Sequence, residues 1–306
     1  HDMTAYRAAV IGLGAMGMGM AKSLVTAGID TVGCDLSEDA RNTFAAAGGR
    51  AVQTPGEAAQ GADAVAVVVV NAQQVEAVLT GPDGVLDALV PGAVVLGCAT
   101  MPPDTAVSLA KLVEAKGALY LDAPISGGPI KSAAGKLSVM ASGSADAFAR
   151  ARPLLDAVAE KVFELGDGPG PGSTMKMVNQ LLAGVHIATD MEAMALAIKS
   201  GLDAKTVFEV ITASAGNSWM FENRVPHVLD GDYSPKSAVD IFIKDLGIVL
   251  AQGEQLGFPL PISEIAFRQY QQAKDMGLGR QDDASLIKVY QRDGGFPLPG
   301  EPEDEG

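Results

Sequence analysis

Gly12, Gly14 and Gly17 stand in the run Gly12-Leu13-Gly14-Ala15-Met16-Gly17, directly after the apolar stretch Arg7–Ile11 and at the head of a helical pattern. Three glycines at this spacing suit a dinucleotide phosphate. The first permits a tight turn, the second lets backbone approach a pyrophosphate, and the third lets helix and strand pack closely. The N-terminus of the helix adds unpaired N–H groups and a partial positive charge. Asp35 lies 21 residues past Gly14, at the end of the second strand-like run. An acid there accepts hydrogen bonds from both ribose hydroxyls of NAD and repels a 2′-phosphate, so NAD is the expected cofactor, ahead of NADP.

Two further groups carry chemistry. Asp122-Ala123-Pro124-Ile125-Ser126-Gly127-Gly128 follows another strand-like run. In an open α/β sheet that carboxyl end faces the ligand crevice. A serine hydroxyl beside two glycine N–H groups holds a carboxylate, although the same residues also make an ordinary Ser-Gly-Gly turn. Lys176, Asn179 and Gln180 share one face of a helical pattern at spacings of three and four residues. Such a lysine is either a surface residue with a buried stem or an amine placed in a cleft, and the two stacked amides favour the polar site. His186 reads as a hydrogen-bonded core histidine, His227 after Pro226 as a loop residue, and Trp219 as a packing residue with one edge towards the site. No His/Cys/Asp/Glu cluster has metal-ligand spacing, so no metal is expected.

Positioning these groups takes two kinds of scaffold. Strand-length runs at Arg7–Ile11, Thr31–Cys34, Ala64–Val70, Ala93–Gly97, Ala118–Leu121, Leu137–Ala141 and Val162–Leu165 alternate with helical patterns. Several runs are apolar on both faces, as strands inside a parallel sheet must be. Thr54-Pro55-Gly56-Glu57 carries the signature of a helix start, and Pro103-Asp104 opens another helix closed by Gly117. After the turn-rich stretch Gly166–Gly172 the pattern is helical only: Ser173–Ser200, Ala204–Ser214, Ala238–Leu256, Ile262–Met276 and Asp283–Gln291. The expected fold is α/β, a doubly wound Rossmann domain over residues 3–166 followed by an all-α domain over 167–306 for substrate binding and oligomerisation.

The bulk composition agrees. The 306 residues suffice for about two domains. A formal net charge of −15 argues against nucleic acid and against an anionic membrane surface as partners. Cys34 and Cys98 sit in apolar runs and read as buried free thiols of a reducing, cytoplasmic compartment. The apolar stretches Ala64–Val70 and Ala88–Ala99 are too short to span a bilayer. His1-Asp2 before Met3 reads as an expression scar with no signal peptide following, and Glu301, Glu303, Asp304 and Glu305 as a solvated tail.

Over essentially its whole length the chain resembles the β-hydroxyacid dehydrogenase family, the relatives of 3-hydroxyisobutyrate and tartronate semialdehyde dehydrogenases. The resemblance rests on GLGAMG at Gly12–Gly17, DAPISGG at Asp122–Gly128, GSTMKMVNQ at Gly172–Gln180 and KDL at Lys244–Leu246. It implies that Lys176 is the catalytic acid/base, that Ser126, Gly127 and Gly128 bind the substrate carboxylate, and that Asn179 and Gln180 line the substrate site. It also implies that Val70, Asn71 and Thr100 touch the nicotinamide half of the cofactor, that Lys244 closes over it, and that a homodimer or homotetramer forms through the long helix. The substrate would lie between the two domains. An amine serving as base near neutral pH needs a pKa lowered from the usual ~10.4 by burial or nearby positive charge.

The chain departs from the family where Gln180 replaces a second asparagine, where Val70-Asn71 replaces Leu-Pro, and where Ala99 replaces a serine. The longer amide speaks against the usual short substrates, and the stretches Leu181–His186 and Ala213–Arg224 resemble the branch acting on a four-carbon polyhydroxylated acid, L-threonate, which the resemblance places ahead of 3-hydroxyisobutyrate or D-glycerate. Asn217 and Ser218 would add hydrogen bonds along that substrate. Imine reductases share the architecture but generally lack the lysine. A non-catalytic dinucleotide-binding protein is the alternative of another class.

Overall fold

The computed structural model of the chain describes residues 5–302. The chain forms two compact units, residues 1–176 and 177–306.

The first unit is built on a six-stranded parallel sheet in the order β3-β2-β1-β4-β5-β6. Its strands are β1 (Arg7–Ile11), β2 (Asp30–Cys34), β3 (Arg50–Val52), β4 (Ala64–Val67), β5 (Val94–Gly97) and β6 (Leu119–Asp122). The connections run through α1 (Ala15–Thr26), α2 (Glu38–Ala46), α3 (Pro55–Ala59), α4 (Ala72–Thr80) and α5 (Pro103–Glu114). Alternate residues of β1 enter different cores. Ala8 and Val10 pack on one face of the sheet, with Leu24, Leu96 and Leu121. Ala9 and Ile11 pack on the other, with Val65, Val95, Leu109 and Val113. That double burial is why the strands read as unbroken apolar runs. The order of strands reverses between β1 and β4, and ligands of such sheets bind at that switch point. The strand expected to reach Val70 leaves the sheet after Val67, so Val68–Val70 form loop beside this point.

Two of the expected strands do not extend the parallel sheet. Leu137–Ala141 is β8 and pairs antiparallel with β7 (Ile125–Ser126) and parallel with β9 (Ala159–Glu164) in a separate three-stranded sheet. The helices α6 (Gly128–Ala133) and α7 (Ala145–Val158) accompany it. β7 is only two residues long and carries too little pattern to be read from sequence.

Helix α8 (Pro171–Lys199) has 29 residues and runs about 43 Å from the first unit into the second. Its first turn belongs to the first unit, which ends at Lys176. By length and composition α8 is apolar enough to cross a membrane. Inspection of unbroken apolar stretches passes over it because Lys176, Asp190 and Glu192 interrupt its runs.

The second unit continues with α9 (Ala204–Thr212), α10 (Trp219–Asp230), α11 (Val239–Leu256), α12 (Pro261–Asp275), a 3-10 turn (Asp283–Leu286) and α13 (Ile287–Gly294). Among the described residues it contains no strand. Its core gathers Met191, Met194, Phe221, Phe242, Leu246 and Tyr270. Tyr270 donates to Gly184 O at 2.7 Å. At Gly184 a Cβ would meet Phe242 Cδ1 at 2.9 Å, so the glycine admits that ring against α8. His227 is not a loop residue. It lies inside α10 despite the preceding proline, with Nδ1 2.8 Å from Asp282 Oδ2. Next to it Arg224 Nε donates to Asp283 Oδ1 at 2.7 Å. Near the C-terminus Glu301 is exposed, as expected of a solvated end, and its carboxylate accepts from Leu298 N at 3.1 Å and Gln291 Nε2 at 2.6 Å. Glu303, Asp304 and Glu305, like His1, Asp2 and Met3, lie outside the described residues.

Candidate active site

The glycine turn has the shape its spacing requires. Gly12 adopts φ +98°, and a Cβ there would meet Val68 O at 2.1 Å; at Gly17 it would meet Gly12 O at 1.8 Å. A Cβ on Gly14 would meet nothing within 4 Å. The outer glycines are therefore demanded by protein packing, whereas the middle one keeps an open face. Gly14 also caps α1 without a side-chain hydrogen bond, and no acid stands in the first turn. Backbone N–H groups and the helix dipole are left for an anion, which is the fit a pyrophosphate needs. Leu13, Ala15 and Met16 fill the positions between the glycines.

Asp35 stands beside the turn. Its Oδ2 accepts from Leu13 N and its Oδ1 from Ser37 N, both at 2.8 Å. Each carboxylate oxygen keeps capacity for a ribose hydroxyl. Arg41 Nη1 donates to the carbonyls of Asp35 and Leu36 at 2.9 Å. Sequence reasoning passed over this guanidinium, which has no motif to mark it. On the other side of the switch point Val70 is 47% exposed and its N–H donates to Gln74 Oε1 at 2.8 Å. Asn71 caps α4 through Oδ1, accepting from Gln74 N at 2.8 Å. Thr100 follows β5 and is partly buried. The two cysteines are buried and free, as expected, and burial pushes both thiols up to about 12, which makes them inert near neutral pH.

Asp122 has a structural task that the motif alone did not reveal. It is completely buried. Its Oδ2 accepts from Gly170 N at 3.0 Å and Ser173 N at 2.8 Å, and its Oδ1 accepts from Ser173 Oγ at 2.7 Å. Gly172 N donates to Ser142 Oγ at 2.9 Å alongside. A carboxylate so placed caps the start of α8 and complements its dipole. Lys176 follows Ser173 by one turn and is 7% exposed, so its position along β6 and α8 is set by this clamp. Ser126 lies on β7, and Gly127 and Gly128 take φ +134° and +75°, values that exclude ordinary side chains. All of these belong to the first unit.

In the second unit α8 carries Asn179, partly buried, and Gln180, buried. Asn179 Nδ2 donates to Gln180 Oε1 at 2.9 Å, and Gln180 Nε2 donates to Asp245 Oδ2 at 2.7 Å. Lys244 Nζ lies 3.0 Å from Asp245 Oδ1. Asn217 and Ser218 do not serve as free substrate donors. Asn217 Nδ2 donates to Thr212 O and Glu222 Oε1, and Ser218 caps α10 by accepting from Phe221 N at 3.0 Å. The Ser218 hydroxyl in turn bonds the carboxyl group of Asp190. Trp219 opens α10 and is 52% exposed. His186 lies inside α8 and is half-buried, not the buried core residue expected. No group of metal-ligating side chains occurs among the described residues.

Residues 7–166 match the family described as the NAD binding domain of 6-phosphogluconate dehydrogenase. Residues 170–290 match that described as NAD-binding of NADP-dependent 3-hydroxyisobutyrate dehydrogenase. The chain belongs to the 3-hydroxyisobutyrate dehydrogenase-like family of β-hydroxyacid dehydrogenases. It is an oxidoreductase that binds NAD and acts on a small hydroxy acid. It is 49% identical to L-threonate dehydrogenase of Cupriavidus necator, over 96% of this chain and 98% of the relative. It is 47% identical to L-threonate dehydrogenase of Escherichia coli, over 96% and 97%. A crystal structure of 3-hydroxyisobutyrate dehydrogenase from Salmonella typhimurium superposes with a TM-score of 0.90 at 47% identity, covering 93% of this chain and 99% of that one.

Proposed function

We propose that the enzyme oxidises the C2 hydroxyl of L-threonate to the 2-oxo acid. The observation that carries this reading is 47–49% identity, over nearly the full chain, to dehydrogenases of that substrate. Gly12–Gly17 and Asp35, together with Val70, Asn71, Thr100 and Lys244, would hold NAD, which would supply the hydride acceptor. Ser126 and the N–H groups of Gly127 and Gly128 hold the substrate carboxylate. Lys176 Nζ takes the hydroxyl proton as the C2 hydride leaves, and returns it in reduction. Asn179 and Gln180 orient the substrate.

The second reading is oxidation of 3-hydroxyisobutyrate, the activity named for the Salmonella relative. A site built to bond hydroxyls rejects analogues that lack them by up to 10⁴–10⁵-fold, since its polar groups are left unpaired. With NAD, kcat/KM is expected to be highest for L-threonate, lower for D-glycerate and lowest for 3-hydroxyisobutyrate. A higher value for 3-hydroxyisobutyrate than for L-threonate selects the second reading.

The working enzyme is inferred to be a cytoplasmic homodimer or homotetramer. Supporting this, Met175, Val178 and Leu182 form a half-exposed apolar stripe on α8 at spacings of three and four. Light scattering coupled to gel filtration tests it, and a monomer at micromolar concentration would exclude it.

A further inference from the structure

Asp245 is 2% exposed and stands 65 residues from Gln180, yet its carboxylate dictates how two side-chain amides face. An ionised carboxylate only accepts hydrogen bonds. Lys244 Nζ forms an ion pair with Oδ1 at 3.0 Å, and Oδ2 accepts the hydrogen bond from Gln180. Gln180 must therefore turn its NH₂ towards Asp245 and its Oε1 away. That oxygen in turn needs a donor, and Asn179 supplies one through Nδ2 at 2.9 Å. The series closes on Asn179 Oδ1, an acceptor. Gln180 and Asp245 are buried while Asn179 is partly exposed, so the acceptor lies at the end a ligand can reach.

We propose that Asp245 is a positioning residue that fixes the polarity of the Gln180–Asn179 pair, so that Asn179 offers a carbonyl oxygen to a substrate hydroxyl instead of an NH₂ group to a carboxylate or carbonyl. This rests on the reading of the substrate as a polyhydroxylated acid and names the device that selects it. An amide pair with no ionised group at its end could sit in either sense and would discriminate poorly. Hydrogen bonds tied to a charged group contribute about 1.5–3 kcal/mol, which corresponds to roughly ten- to hundredfold in selectivity.

The test measures kcat and KM with NAD for L-threonate and for 2-hydroxybutyrate, the same carbon chain without its C3 and C4 hydroxyls. In Asp245→Asn the replacement amide can donate or accept, so the series can reverse. In Gln180→Met it is cut while the Lys244–Asp245 pair remains. Both variants are expected to lower the ratio of kcat/KM for the two acids at least tenfold, mainly by raising KM for L-threonate. Asp245→Glu, which keeps an acceptor-only group, should retain more of the ratio than Asp245→Asn. Equal losses on both acids would overturn the proposal, because a merely structural role weakens both alike. If the wild type fails on L-threonate but oxidises another polyhydroxy acid, the substrate reading falls, and the same ratio with that acid and its deoxy analogue still decides the role of Asp245. Side-chain amide NMR needs no turnover. Asp245→Asn should move the resonances of both Gln180 and Asn179, and an unchanged Asn179 would overturn the relay.

Discussion

The glycine turn and the polar series around Gln180, the two ligand sites proposed above, are built by opposite means. The turn is made of absent side chains, with Gly12 and Gly17 leaving no room for a Cβ and Gly14 leaving its face open. The polar series is made of side chains whose orientation is imposed by charge, ending at a buried aspartate. One is local to six residues and the strand before them, and the other joins positions 65 apart. A backbone-built site should fail when atoms are added. A side-chain-built site should survive changes of shape better than changes of polarity.

The largest effect expected lies where α8 presents its lysine. Lys176→Ala should lower kcat by about 10²–10⁴-fold, the usual contribution of a general acid–base group. NAD affinity, measured by fluorescence titration, should change little if the glycine turn holds the phosphates as proposed. A variant with wild-type kcat would remove Lys176 from the mechanism. One that lost NAD binding would show that the two regions do not divide the work as described.

Within the turn, two chemically identical substitutions should diverge. Gly17→Ala places a methyl 1.8 Å from Gly12 O, so the backbone must shift and thermal stability should fall by several degrees. Gly14→Ala meets nothing in the protein and should leave the melting temperature within about 2 °C, while weakening NAD binding roughly tenfold or more by crowding the pyrophosphate. Equal NAD affinity in Gly14→Ala and wild type would mean that the open face is not the phosphate side.

How legible each region was in the sequence follows from its construction. The turn, the strands that carry Gly12 and Asp35, and the helical second half were readable because each constraint is periodic or falls within a few residues. Lys176, Asn179 and Gln180 could be grouped because a helix repeats every 3.6 residues. The clamp of Asp122 on Ser173 spans 51 residues, and the bonds of Gln180 to Asp245 span 65; no local pattern announces such pairs. β7 with two residues and β3 with three are below the length at which alternation is visible. Pro226 inside α10 misled the reading of His227, since tertiary packing holds a helix that propensity would end.

A smaller effect should separate the two nicotinamide cofactors. Asp35 places a carboxylate beside Leu13 N, where the 2′-phosphate of NADP would bring a second anion. Wild type is expected to prefer NAD. Asp35→Ser should narrow the ratio of kcat/KM for NAD over NADP by about tenfold, with the loss on NAD and the gain on NADP both contributing. Arg41, already close to the Asp35 and Leu36 carbonyls, then becomes the nearest cation for the added phosphate. Equal use of both cofactors by the wild type would refute this role for Asp35.

The smallest effect contrasts Asp245 with another buried carboxylate of the helical unit. Each keeps one oxygen with no hydrogen-bond partner, Oδ1 in Asp245 and Oδ2 in Asp190, but Asp245 has Lys244 Nζ 3.0 Å away while Asp190, 7% exposed on α8, has no ion pair among the described residues. Burial raises its pKa from 3.8 to about 7, against the lowering effect of a hydrogen bond from Ser218. The folded chain thus holds a proton that the unfolded chain releases at lower pH. The stability linked to that proton is complete below about pH 3.8 and is lost as pH rises through about 7. Asp190→Asn cannot ionise, so its melting temperature should stay flatter than that of the wild type from pH 5 to 8.5. The difference should reach a few degrees at the alkaline end. Calorimetry across that range checks it, taking the difference between the two proteins so that contributions common to both cancel. Parallel curves would assign the pH dependence elsewhere and leave Asp190 ionised in the fold, in which case a cation has to approach it as Lys244 approaches Asp245.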